Sequence, residues 1–286
     1  MLALGFGLTA ALLWAVHDLL TRKLSQGAAL LPMIAVVLGS GCLALLAPAM
    51  IGGDWAAMTA GAWGAAMASG IAIAVAIGGL YKAFSLAPVR LVSPVIGAYP
   101  LVTLIIAAAQ GRAITPGDWL AVGLIVVGIA IVATATRDDA PDTYAARPAV
   151  AIAWSVLSAC GFAATFALAQ AATRMGSDLP VILVGRGVAL AAILALIGWG
   201  RGSFAPARRH MGVLALMGVL DAVALGLVTA SGALPKAEYA SVSSSLFGVL
   251  TVLLASWVLK ERAKPVQWIG IATVFFGIAI LTLQGG

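Results

Sequence analysis

Charge is what this chain is poorest in. Asp, Glu, Lys and Arg make up 9% of its 286 residues, against roughly 25% in an ordinary soluble domain. Hydrophobic residues make up 63%, and mean hydropathy is +1.11. A soluble fold of this composition would have no polar surface to set against water, so the chain reads as a polytopic membrane protein. Cysteine and histidine are equally scarce, at two each. Cys42 and Cys160 both lie in apolar runs and read as small core residues, which argues against a disulfide or metal framework. Two histidines leave little room for a Ser-His-Asp arrangement. A Walker loop and a potassium-channel filter are also missing. No enzyme activity and no cofactor are expected.

The few charges that exist are mostly basic, giving a net charge of +6. They cluster in short turns between apolar runs, where the positive-inside effect accounts for them without any nucleic-acid partner. The first run, 2–20, has no basic n-region before it and no cleavage site after it, so it reads as a retained helix.

Long apolar runs dominate what is present. The stretch 240–283 holds two of them around the basic turn Lys260-Glu261-Arg262-Ala263-Lys264. Each is about 20 residues, enough at 1.5 Å per residue to cross a hydrocarbon layer of about 30 Å. Backbone groups in lipid must pair within their own segment, so such runs are helices. The same logic gives ten spans: 2–21, 30–50, 60–84, 91–110, 117–136, 148–172, 180–200, 211–231, 239–259 and 266–284.

The second half echoes the first. An offset of 149 carries Pro116 to Pro265, Trp119 to Trp268 and Gly128 to Gly277, and 148 carries Trp14 to Phe162, Pro32 to Pro180 and Pro100 to Gly248. An ordered series at one long offset is the mark of an internal repeat. The expected units are 1–137 and 148–286, joined by a polar linker at 138–147. Five spans per half, an odd number, invert the second half relative to the first. The expected fold is therefore all-α, ten transmembrane helices in a 5+5 inverted-topology repeat. Orientation follows from the basic residues. Arg22, Lys23, Lys82, Arg90, Arg137, Arg147, Arg201, Arg208, Arg209, Lys260, Arg262 and Lys264 lie on one side, and Arg112, Arg174 and Lys236 on the other. Twelve against three places both termini outside the cytoplasm.

Several short motifs carry a family resemblance. Leu12-Leu13-Trp14 opens the chain's first helix; Glu261-Arg262 and Gln267-Trp268-Ile269-Gly270 precede its last, and Arg186 stands early in a second-half span. In these the chain resembles the ten-helix EamA-type exporters of the drug/metabolite transporter superfamily. The first half departs from the pattern, with Arg112 where Glu261 maps and Leu38 where Arg186 maps. The resemblance implies transport of small metabolites, many relatives exporting amino acids and one branch aromatic ones. It implies a bacterial inner membrane; the periplasmic termini rest on the basic count alone, and typical members have their basic side reversed. The partners it implies are a small-molecule substrate and the lipid bilayer, with the chain read as a monomer.

Candidate site residues are the polar and amphipathic groups set deepest in the spans. Asp221 sits mid-helix, where a carboxylate costs roughly 2.5–3.5 kcal/mol, and reads as a proton carrier, a substrate contact or interhelical glue. Asp18 and Arg22, four apart, read as a helix-end pair. His17 is expected to share a cavity face with Trp14 while Asp18, about 100° away, faces elsewhere. Arg186 keeps its charge and suits a substrate carboxylate or a structural ion pair. Trp14, Tyr81, Tyr99, Trp154, Phe162, Phe166 and Phe247 suit an apolar stacking pocket, whereas Trp55, Trp63, Trp119 and Trp268 sit at span ends as interface anchors. Pro94, Pro100 and Gly248 soften matching helices and are the expected hinge or gating positions. The function that fits is secondary export of a small metabolite, an amino acid first, by alternating access. The alternatives are an antiporter of phosphorylated or nucleotide-linked compounds, which needs several cavity cations, and a membrane scaffold, which needs neither repeat nor buried Asp221.

Overall fold

The computed structural model describes residues 2–26, 29–109, 111, 113, 115–137, 148–200, 202–231, 243–244, 246–261 and 263–284, and among these no strand occurs. The apolar runs form α1 (Leu2–Leu24), α2 (Leu30–Gly52), α3 (Ala60–Leu86), α4 (Val89–Gly97), α5 (Tyr99–Ala109) and α6 (Pro116–Arg137). The second half gives α7 (Pro148–Arg174), α8 (Asp178–Trp199), α9 (Ala205–Arg208), α10 (Met211–Ser231), α11 (Phe247–Val258) and α12 (Pro265–Gln284). Six of them, α1, α2, α3, α7, α8 and α10, are long and apolar enough to span a bilayer; α6, α11 and α12 contribute shorter apolar stretches.

One expectation needs correction. The single span expected at 91–110 is two helices, interrupted at Ala98. Pro100 has no N–H to give the Ile96 carbonyl, so the ladder stops and restarts, with the Leu101 N–H donating to the Ala98 carbonyl at 2.9 Å. Pro94, by contrast, is carried inside α4. Of the span expected at 239–259, residues 239–242 and 245 lie outside the described residues, 243–244 are helical, and α11 runs from Phe247 to Val258. The linker expected at 138–147 lies outside the described residues.

Local signals set the helix starts. Thr115 and Asp118 cap α6 reciprocally: the Thr115 N–H donates to Asp118 Oδ2 at 2.8 Å and the Asp118 N–H to Thr115 Oγ1 at 3.2 Å. Half of this device recurs 149 positions later, where the Lys264 N–H donates to Gln267 Oε1 at 2.8 Å.

The helices pack as a mutual set. α3 lies against α7 and α8, α10 against α1 and α2, α2 against α8, and α4 against α7 and α11. α6 and α12 form a tight pair to one side, and small residues let them approach. A Cβ added to Gly128 would stand 2.6 Å from the Gly270 carbonyl oxygen, and one added to Gly270 would stand 2.9 Å from that of Gly128. Replacing Gly128 with Ala should therefore lower stability by about 1–3 kcal/mol through overpacking. Gly123 on the same helix has open space around its Cβ position, so Gly123→Ala should be neutral or slightly stabilising. Thermal unfolding of the two variants in detergent checks the difference.

Candidate functional site

One cavity, about 120 Å³ in volume, opens between the helices of the two halves. α1 contributes Trp14, His17 and Asp18; α3 Ile73, Ile77, Leu80 and Tyr81; α7 Phe162, Thr165 and Phe166; α10 Asp221 and Leu225. Val37, Ile96, Tyr99, Arg186 and Phe247 complete the wall. Twelve of these seventeen lining residues come in pairs. At an offset of 148, Trp14 matches Phe162, His17 matches Thr165, Asp18 matches Phe166, Ile73 matches Asp221, Ile77 matches Leu225 and Tyr99 matches Phe247. The positions repeat, but the chemistry does not.

The charged centre is built from three helices. Arg186 on α8 donates from Nη2 to Asp221 Oδ2 on α10 at 2.5 Å, and Trp14 on α1 donates from Nε1 to Asp221 Oδ1 at 2.9 Å. Each carboxylate oxygen thus has one donor. Arg186 is 4% exposed, and its Nε and Nη1 have no hydrogen-bond partner. Room for the guanidinium comes from α2, where a Cβ on Gly41 would stand 2.8 Å from Nη1. Where the first half maps onto this centre, Leu38 replaces Arg186 and Ile73 replaces Asp221. The Arg186–Asp221 pair therefore has no ionic counterpart at the matching positions of the first half, whose own ionisable pair in the lining is His17 and Asp18.

Aromatic rings close the rest. Trp14 meets Phe247 edge-on at 6.1 Å, Tyr99 meets Phe166 at 5.2 Å, and Phe162 stacks on Phe166 at 6.4 Å. His17 lies edge-on to Tyr81 at 6.3 Å, and its Nδ1 is 3.3 Å from Asp18 Oδ1.

Of the residues expected from sequence, Trp14, His17, Tyr81, Tyr99, Phe162, Arg186 and Asp221 line this space, as do Phe166 and Phe247. Trp154 does not: it packs against the hydrophobic core. It precedes Phe162 by eight residues, which sets it about 80° round the helix from that lining ring as well as about 12 Å along it. Asp18, expected to face elsewhere, shares the cavity with His17. The pair expected between Asp18 and Arg22 does not form; Arg22 Nε donates to Glu261 Oε1 instead, at 3.1 Å. Gly248 opens α11, and a Cβ there would stand 2.7 Å from the Phe275 ring, so close packing also accounts for this glycine.

Removing one member of the buried pair leaves the other charge without compensation. Asp221→Leu should destabilise the protein by about 3–5 kcal/mol, and adding Arg186→Met should recover most of that loss. Thermal unfolding in detergent of the single and double variants tests this coupling.

A family model of EamA-like transporters matches residues 1–134 and 149–283. No curated protein matches. Among solved structures, one described only as "Crystal structure of protein" is 18% identical to this chain, covers 99% of it and 96% of its own length, and has a TM-score of 0.65. At that identity the likeness is one of fold. The family match covers nearly the whole sequence, and with the apolar helices it makes this a multi-pass membrane protein. The chain belongs to the EamA-like transporter family, membrane transporters of small molecules.

Proposed function

We propose that this transporter exports small amino acids by alternating access. The observation that carries the substrate class is the Arg186–Asp221 pair. Arg186 lines the cavity as a fixed cation, and among the described residues its buried Nε and Nη1 have no partner, so a carboxylate that reaches the guanidinium when the walls part would meet unmet donors, while Asp221 beside it suits an ammonium group. Facing them are apolar and aromatic side chains, which suit an uncharged side chain. A dry cavity of about 150 Å³ holds benzene, so the 120 Å³ here favours a small aliphatic side chain in this conformation, and an aromatic one requires the walls to part. A phosphorylated or nucleotide-linked cargo fits poorly, because among the described residues Arg186 is the one Lys or Arg in the lining.

Transport is proposed to proceed by rocking of two inverted repeats, 1–137 and 148–286, about this site. The lining pairs at an offset of 148 support that division, as does the packing. α7 lies on α3 as α1 lies on α10, and α8 on α3 as α2 on α10. Bending is assigned to the break at Ala98, between Pro94 and Pro100, and to its counterpart near Gly248. Asp221 is read as a substrate contact instead of a proton carrier, since Arg186 already gives it a fixed partner. The membrane is taken to be a bacterial inner membrane with both termini in the periplasm, on the count of basic residues.

Counterflow into liposomes preloaded with unlabelled amino acids tests the substrate class. Labelled aliphatic amino acids should exchange, and Arg186→Gln should cut exchange roughly tenfold or more by removing a charge-assisted contact. Tyr99→Ala should lower exchange with little change in melting temperature. Failure of every amino acid in the panel would falsify the proposed cargo. A fluorescent reporter that folds only in the cytoplasm, fused after Gly286, should stay dim; a bright signal would reverse the orientation.

A further inference from the structure

The end of the bundle that carries most of the basic residues is tied shut by a cluster outside the cavity. Arg22, at the end of α1, is 7% exposed. Its Nε donates to Glu261 Oε1 at 3.1 Å, and its Nη1 donates to the Phe84 carbonyl at 2.6 Å. The second carboxylate oxygen of Glu261 accepts from the Val89 N–H at 2.9 Å. One ion pair thus binds three joints: the end of α1, the α3–α4 connection and the α11–α12 connection. Lys260, just before Glu261, has a φ of 56°, a left-handed conformation that few non-glycine residues adopt and that recurs at switch regions.

Its position gives the cluster a role. Arg22 follows the cavity-lining Asp18 by four residues, about 6 Å further along the helix, and so lies immediately past the cavity floor. Among the described residues, the opposite end is joined differently. There the Asp54 N–H donates to Ser177 Oγ at 3.2 Å and Thr59 Oγ1 to the Met175 carbonyl at 3.0 Å, both neutral links. At the offsets that relate the halves, Gln170 corresponds to Arg22 and Arg112 to Glu261, two residues that cannot make an acid–base pair.

We propose that Arg22 and Glu261 form the gate at the basic end of the transport path. The pair is closed in this structure and parts when that end opens. The gate rests on the transport reading for its purpose, but its opening can be measured without any cargo. Because the corresponding residues of the other half carry no such pair, the two ends close by different chemistry, and loss of charge at these positions releases one end alone.

The test uses Leu80, which lines the cavity, replaced by Cys in a background carrying Cys42→Ser and Cys160→Ser. A membrane-impermeant thiol reagent is applied from each side of oriented vesicles. Glu261→Gln and Arg22→Gln should each raise labelling from the basic end roughly tenfold, as loss of a charge-assisted bond would, without raising it from the other end. Arg22→Lys keeps the charge but gives up the second contact to Phe84, and should fall between. Unchanged labelling in both Gln variants, purified as monodisperse helical protein, overturns the gate, as does an equal rise from both sides. If the Gln variants fail to fold, Arg22→Lys decides alone: a rise from the basic end supports the gate and no rise removes it. Absence of amino-acid exchange in liposomes would leave these labelling rates untouched, so failure of the cargo and failure of the gate are told apart.

Discussion

Lipid tails are as apolar as leucine, so helices in a bilayer gain nothing from merely hiding apolar surface against one another. They adhere where backbones can come close enough for dispersion and polar contacts to act. The structure depends on that constraint throughout. Gly70 of α3 faces the Gly185 carbonyl of α8, Gly161 of α7 faces the backbone of Ala76 in α3, and Gly128 and Gly270 face each other. At each place a methyl group would collide with main chain. These close crossings fix the helices rigidly enough that a space can persist between them, and larger side chains are then left to shape it.

That space concentrates the few charges the spans contain. A carboxylate or guanidinium is costly at the centre of a membrane. Asp221 and Arg186 offset one another there, with Trp14 supplying a third contact. The compensation is incomplete, because part of the guanidinium remains without a partner. An unmet buried donor carries a penalty that a ligand can relieve. The same geometry that keeps the pair tolerable therefore keeps it receptive.

Much of this was legible in the sequence, and the exceptions have physical causes. Span positions followed from apolar length, and Trp14, His17, Arg186 and Asp221 followed from the expense of polar groups at depth. Trp154 has the depth expected of a lining residue but stands about 80° round the helix from Phe162, and depth within a span does not say which side faces a cavity. The Asp18–Arg22 pairing was misjudged because spacing of four describes an isolated helix. Here Glu261, from a turn 239 residues away, offers Arg22 a better partner. The interruption at Ala98 was half visible: two prolines marked the helix as weak, but which of them would stop the ladder depended on the backbone around each. The role of Gly41 gave no local signal at all, since a glycine that makes room for a guanidinium looks like one that makes room for a helix.

The paired lining has a consequence for how such a protein can change its cargo. Six positions of the cavity wall recur at an offset of 148, once in either half of the sequence, on helices whose approach is set elsewhere. A residue in one copy can be exchanged while its counterpart keeps the wall in place, as Ile73 and Asp221, or Asp18 and Phe166, already differ. The cavity behaves like a mould with two independently editable faces: its shape is inherited by both, and its taste is written on one at a time.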